Sequence, residues 1–167
     1  GVVVILFILV GAFAPLILSI TGKDPIAFNY DQIDPDTQLP RLAYGGIFSP
    51  DHWFGVEPIN GRDLFARIVS GSRISLITAF LATLLSVAIG TTMGLIAGYV
   101  GGWVDTLISR TMDIFLAFPK LILALALVAV LGPGMVNAVL AIALTSWPPY
   151  ARVARAETLT VRSSDYI

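Results

Sequence analysis

Four apolar blocks, separated by polar stretches of unequal length, organise the chain. The first runs from Gly1 to Ile20 without a charge, matching the roughly 20 residues a helix needs to cross a bilayer. No basic flank precedes it and no small-x-small cleavage site follows, so a retained span is expected rather than a signal peptide. The second is uncharged for 31 residues, Ile74 to Val104, longer as a helix than a hydrocarbon core of about 30 Å. Within it small residues recur every fourth position: Thr78, Ala82, Ser86, Gly90, Gly94, Gly98 and Gly102. Successive members lie together on a helix, and such a row lets a neighbouring backbone approach closely.

The third block is interrupted. Arg110 and Asp113, three apart on one helical face, are expected to pair near an interface, because either charge at mid-membrane would cost about 3 kcal/mol or more. Phe118-Pro119-Lys120 marks a kink or break, since proline lacks the amide hydrogen that a helix interior uses. Leu121 to Leu131 completes this span and Leu131-Gly-Pro-Gly134 closes it. The fourth block, Val136 to Tyr150, ends on Trp147 and Tyr150, placed like interfacial aromatics. The predicted fold class is thus all-α, a polytopic transmembrane helical bundle with spans near 1–20, 74–100, 106–131 and 136–150.

Composition sharpens this reading: 56% of residues are hydrophobic and 13% charged, with a mean hydropathy of +0.86, far from the balance of a soluble domain. The net charge of -1 argues against a nucleic-acid partner. With no cysteine, disulfides, thiolate metal sites and cysteine nucleophiles are excluded.

Between the first two spans, residues 21–73 form a polar insert rich in turn formers, including Asp24-Pro25, Glu57-Pro58 and Asn60-Gly61. From Thr21 to Asp63 seven acids face three bases. Asp31, Asp34 and Asp36 resemble a calcium loop only superficially, lacking its glycine and terminal Glu. His52 stands alone beside Trp53, the pattern of a packed loop residue. No phosphate loop, HExxH or GxSxG signature occurs, so no catalytic residues, cofactor-binding residues or metal ligands are assigned. Charge does not orient the chain, because Lys23, Arg41, Arg62, Arg67 and Arg73 on one side balance Arg110, Lys120, Arg152, Arg155 and Arg162 on the other.

The residues also carry a resemblance. Gly61-Arg62-Asp63, extended through Arg67 and Arg73 to Leu76, is followed by Ala97-Gly-Tyr-Val-Gly-Gly-Trp-Val-Asp105, Arg110-Thr-Met-Asp113, Ala117-Phe-Pro119, Leu131-Gly-Pro-Gly134 and Trp147-Pro-Pro-Tyr-Ala-Arg152. In that order they resemble the inner-membrane permease subunits of dipeptide, oligopeptide and nickel ABC importers, the subunit type with a loop after its first span. The match is dense over residues 48–167. It departs at Phe54-Gly-Val-Glu-Pro-Ile-Asn60, where such permeases carry a Gly-Thr-Asp element.

The resemblance implies a type I ABC importer permease with six spans, about four of them here, and so a chain that stops early. It implies a bacterial or archaeal plasma (inner) membrane location, residues 21–73 outside the cell, and a short amphipathic helix near 63–72 with Leu64, Phe65, Ile68 and Val69 on one side. Residues 151–167 would begin a cytoplasmic coupling region, ending before the Glu-Ala-Ala motif that docks on an ATPase. Arg152, Arg155, Glu157, Arg162, Asp165 and Tyr166 are the implied coupling residues; Ser86, Gly90, Gly94 and Gly98 are expected to serve helix packing. The implied partners are a homologous second permease, two cytosolic ATPase subunits that hold ATP and Mg, an extracytoplasmic solute-binding protein and membrane lipid. Peptide is the implied solute, with nickel or another small solute as the alternative. A self-contained channel or secondary transporter would need intramembrane ionisable or broken-helix sites, and the spans offer no buried carboxylate. A scaffold without transport is the third class.

Overall fold

The computed structural model describes residues 1–41 and 49–163. Its architecture is all-α: α1 (Val2–Ala12), α2 (Ala14–Thr21), α3 (Leu64–Val100), α4 (Gly102–Ala117), α5 (Lys120–Leu131) and α6 (Met135–Ser163), with a 3-10 turn at Tyr30–Gln32. Among the described residues the only β pairing is two isolated bridges, Ile33 with Pro40 and Val56 with Asp63. The chain divides into two compact units, Gly1–Ile77 and Thr78–Ile167.

In the first unit the opening span is bent rather than straight: α1 and α2 meet at 67° around Phe13. Pro15 in the first turn of α2 explains the break, since its ring meets the carbonyl four residues back and it donates no hydrogen bond. α2 stops at Gly22, whose left-handed φ of 65° suits a residue without a Cβ.

The start of α3 differs from expectation. The amphipathic stretch near 63–72 is not a separate helix; it runs without interruption into the span, giving one helix of 37 residues, about 55 Å at 1.5 Å per residue. Its inner face matches the predicted one only in part. Ala66, Val69 and Ser72 are buried while Ile68 is exposed. Small side chains admit close neighbours, and a helix entering lipid is under no pressure to turn its large apolar groups inward.

In the second unit α4 and α5 meet at 94° across Phe118-Pro119, the break expected from the missing proline amide. The 29-residue α6 continues through Pro148 and Pro149, which remove two backbone hydrogen bonds from its middle. Among the described residues, α3 is the one helix long and apolar enough to cross a membrane by itself, and the pairs α1–α2 and α4–α5 qualify only as bent spans. The fourth span expected near 136–150 does not qualify: Asn137 and the polar run Thr145-Ser146 ahead of the two prolines dilute its apolar half. The abundant exposed Leu, Ile, Val and Phe on α1, α3 and α5 suit helices whose solvent is lipid.

Candidate functional site

In the second unit the small-residue row of α3 forms a seam with α6. Ala82, Ser86, Gly90, Gly94 and Gly98 are all buried. The Ser86 hydroxyl donates to the Ala82 carbonyl at 2.7 Å and leans on the Ala143 carbonyl of α6 at 3.4 Å. A Cβ on Gly90 would stand 2.6 Å from the Trp147 carbonyl, one on Gly94 would overlap the Ala151 carbonyl, and one on Gly98 would lie 2.6 Å from Thr158. Backbone therefore meets backbone along three helical turns, an approach only glycine permits. Beside the seam Trp147 packs edge-on against Phe115 with centroids 5.6 Å apart, closing a core with Met112 and Ala151. The row ends at Gly98, because Gly102 opens α4 with nothing within 4 Å of its added Cβ.

Beyond the seam, the arginines of α6 reach to the neighbouring helices. Arg155 clamps Asp105, in the first turn of α4, through both Nε and Nη2, the latter at 2.6 Å, and the same carboxylate accepts from the Ser109 hydroxyl at 3.2 Å. Arg152 reaches Asp113 at 3.3 Å. Arg162 donates to the Tyr99 carbonyl at 3.0 Å, in the last turn of α3 where carbonyls lack helical donors. Three of the expected coupling residues thus tie α6 to the end of α3 and to two points along α4. Glu157 is exposed along a groove of about 380 Å³ with Tyr99, Thr158 and Arg162. Asp165 and Tyr166 lie outside the described residues.

The pair expected between Arg110 and Asp113 is loose, 4.0 Å apart with both side chains largely exposed, and Asp113 has its nearer partner in Arg152. Helical spacing brings the two residues close but does not aim them. Asp105 is the acid that sequence reasoning missed. Its signal was available: Asp105 and Asp113 are the only acids of α4, facing a helix that carries three arginines.

In the first unit the Gly61-Arg62-Asp63 motif builds the loop end of α3. Gly61 takes a φ of 64° and any Cβ there would strike the Asn29 backbone, while the Asn29 amide donates to the Gly61 carbonyl at 2.7 Å. Asp63 caps α3 through the Ala66 amide at 2.9 Å. Only 4% exposed, it also meets Lys23 at 3.2 Å and His52 at 2.8 Å. Burial pushes its pKa up, but the Ala66 amide, His52 and Lys23 together outweigh that and hold it below the usual carboxylate range. Lys23 lies over the Trp53 ring, which leans on Phe65. Arg62 and Arg67 share Glu57, the second at 2.8 Å, and Arg73 is exposed. Asp34 is held down chiefly by the Asp36 and Thr37 amides, a turn-forming role. No group of three metal-ligating side chains is gathered among the described residues.

Residues 90–167 match the family described as binding-protein-dependent transport system inner membrane component. Over 166 residues the chain is 42% identical to a dipeptide transport system permease protein of Alkalihalophilus pseudofirmus, covering 99% of this chain and 50% of that relative. It is 39% identical over 167 residues to a glutathione transport system permease protein of Pectobacterium atrosepticum, covering 100% and 51%. A dipeptide transport system permease protein of Haemophilus influenzae is 45% identical over 129 residues, covering 77% and 43%. The chain spans about half the length of the curated relatives it matches.

Proposed function

This chain belongs to the binding-protein-dependent transport system inner membrane component family, and from that premise we propose that it forms part of the translocation pathway of an ABC importer for di- or oligopeptides in a bacterial inner membrane. Support for the solute class comes from relatives named for dipeptide and glutathione transport.

The observation that carries the reading is the union of seam and clamp. The α3–α6 seam is too tight to slide, because Gly90, Gly94 and Gly98 sit against α6 backbone and the Thr158 side chain. Arg155, Arg152 and Arg162 then fix the far half of α6 to α4 and to the end of α3. A force on the α6 end therefore moves three helices together instead of bending one. In the proposed mechanism two cytosolic ATPase subunits, which hold ATP and Mg, close and push on this end. The helices turn, and together with a homologous second permease they open the pathway toward an extracytoplasmic solute-binding protein. Lipid surrounds the apolar faces, and hydrolysis is assigned to the ATPase subunits.

The test uses the complete protein assembled with its ATPases in proteoliposomes. Arg155→Ala should lower peptide uptake several-fold while ATP hydrolysis continues, and the charge-swapped pair Asp105→Arg with Arg155→Asp should restore part of the uptake. Equal uptake in Arg155→Ala and the parent would refute the transmission role, and assembly without any ATPase would refute the importer reading.

A further inference from the structure

We propose that the cleft between Pro25–Ile26 and the first turns of α3 binds the phosphate of an anionic phospholipid headgroup. This cleft, about 330 Å³, is lined by Pro25, Ile26, Arg62, Arg67, Ser70, Gly71 and Ile74. Its lining combines two arginines and a serine with two isoleucines and a proline. Arg62 and Arg67 share the single carboxylate of Glu57, so the trio keeps one net positive charge. A guanidinium carries five N–H donors, and Glu57 meets Arg62 through Nε and Arg67 through Nη1. Their side chains are 28% and 38% exposed, so the spare donors are reachable. Ser70 adds a hydroxyl on the same helical face as Arg67, three residues on.

Position selects the lipid. The charge-free run of α3 begins at Ile74, so in a membrane crossed by that run the arginines of the cleft would lie at headgroup depth, with Ile74 at the start of the apolar stretch. Arginine stems beside apolar residues at this depth suit a phosphodiester with a lipid tail, whereas a soluble anion would gain nothing from the two isoleucines. The inference rests on α3 spanning the membrane and not on the transport reading.

Gly71 provides a clean probe. An added Cβ there meets nothing within 4 Å, so Gly71→Leu should fill the cleft without disturbing the helix. The complete permease would be reconstituted in nanodiscs of phosphatidylethanolamine mixed with phosphatidylglycerol, and the co-purifying lipid quantified by mass spectrometry. Phosphatidylglycerol should be enriched around the parent, and Arg67→Gln should lower that enrichment about fivefold, the worth of one arginine near an anionic surface. Because Arg67→Gln also frees Glu57, Gly71→Leu serves as the second variant and should give a similar loss with an unchanged melting temperature. Enrichment that survives Gly71→Leu would overturn the proposal. So would enrichment abolished by added inorganic phosphate, which would make the cleft a site for soluble anions.

Discussion

Arg155 and Asp105, fifty positions apart in sequence, meet in a two-pronged guanidinium–carboxylate clamp that joins α6 to the first turn of α4. Both side chains are partly open to solvent, 31% and 22% exposed, so the pair contributes little by bulk charge and more by direction, since a planar fork fixes the angle between two helices. A double-mutant cycle on Arg155→Ala and Asp105→Ala in the full-length protein should give a coupling of about 1 kcal/mol in thermal unfolding. Additive losses would show that the two groups do not work as a unit.

Gly94 and Gly71 lie on the same helix and should respond oppositely. Gly94→Leu forces a side chain into the Ala151 carbonyl and the Ala154 side chain, an overpacking that typically costs 1–3 kcal/mol, so it should lower the melting temperature of the solubilised protein. Gly71→Ala meets open space and should be neutral or raise stability by up to about 1 kcal/mol through helix propensity. Equal effects from the two substitutions would mean that the seam does not hold the second unit.

The seam was legible in sequence because it is periodic on one helix: small residues every fourth position announce a close neighbour, although not which one. The clamp was not, because Asp105 and Arg155 share no local pattern, and the reading paired Arg110 with Asp113 on spacing alone. The same limit hid the contacts of Asp63, whose partners Lys23 and His52 lie forty and eleven residues away. The break at Phe118-Pro119 was legible, but the bend at Pro15 was not read, because residues 1–20 scan as one uninterrupted apolar span and a proline alone does not announce a break: α6 continues through Pro148 and Pro149. Continuity was less so: charges at Arg67 and Arg73 suggested a boundary, but the helical hydrogen bonds of α3 run straight past them.

Arg162 should act as a cap for α3. Its guanidinium donates to the Tyr99 carbonyl, one of the last four in the helix, and a cation there also complements the helix dipole. Arg162→Ala should therefore destabilise the α3 terminus by about 0.5–1 kcal/mol. Hydrogen exchange would report it as faster amide exchange confined to residues 97–101, with the seam around Gly90 unchanged. Acceleration along the whole of α3 would point to loss of global packing instead.

Acid should release the loop end of α3. Asp63 has its pKa pushed up by burial and pulled further down by the Ala66 amide, His52 and Lys23, so its folded value lies below its unfolded one. A carboxylate shifted in that direction stabilises the fold above its unfolded value of about 3.9, and the contribution fades as pH falls through the lowered folded value. Trp53 reports on the same cluster, because Lys23 lies over its ring and Phe65 leans on it. With Trp103 and Trp147 replaced by Phe, Trp53 fluorescence in nanodiscs should stay constant above about pH 4 and change only below it. Asp63→Asn should cost about 2 kcal/mol at neutral pH, as a buried acceptor of charged donors is lost, and should flatten the acid step to what Glu57 and Asp34 leave. An acid step of unchanged size and midpoint in Asp63→Asn would show that another group governs the opening.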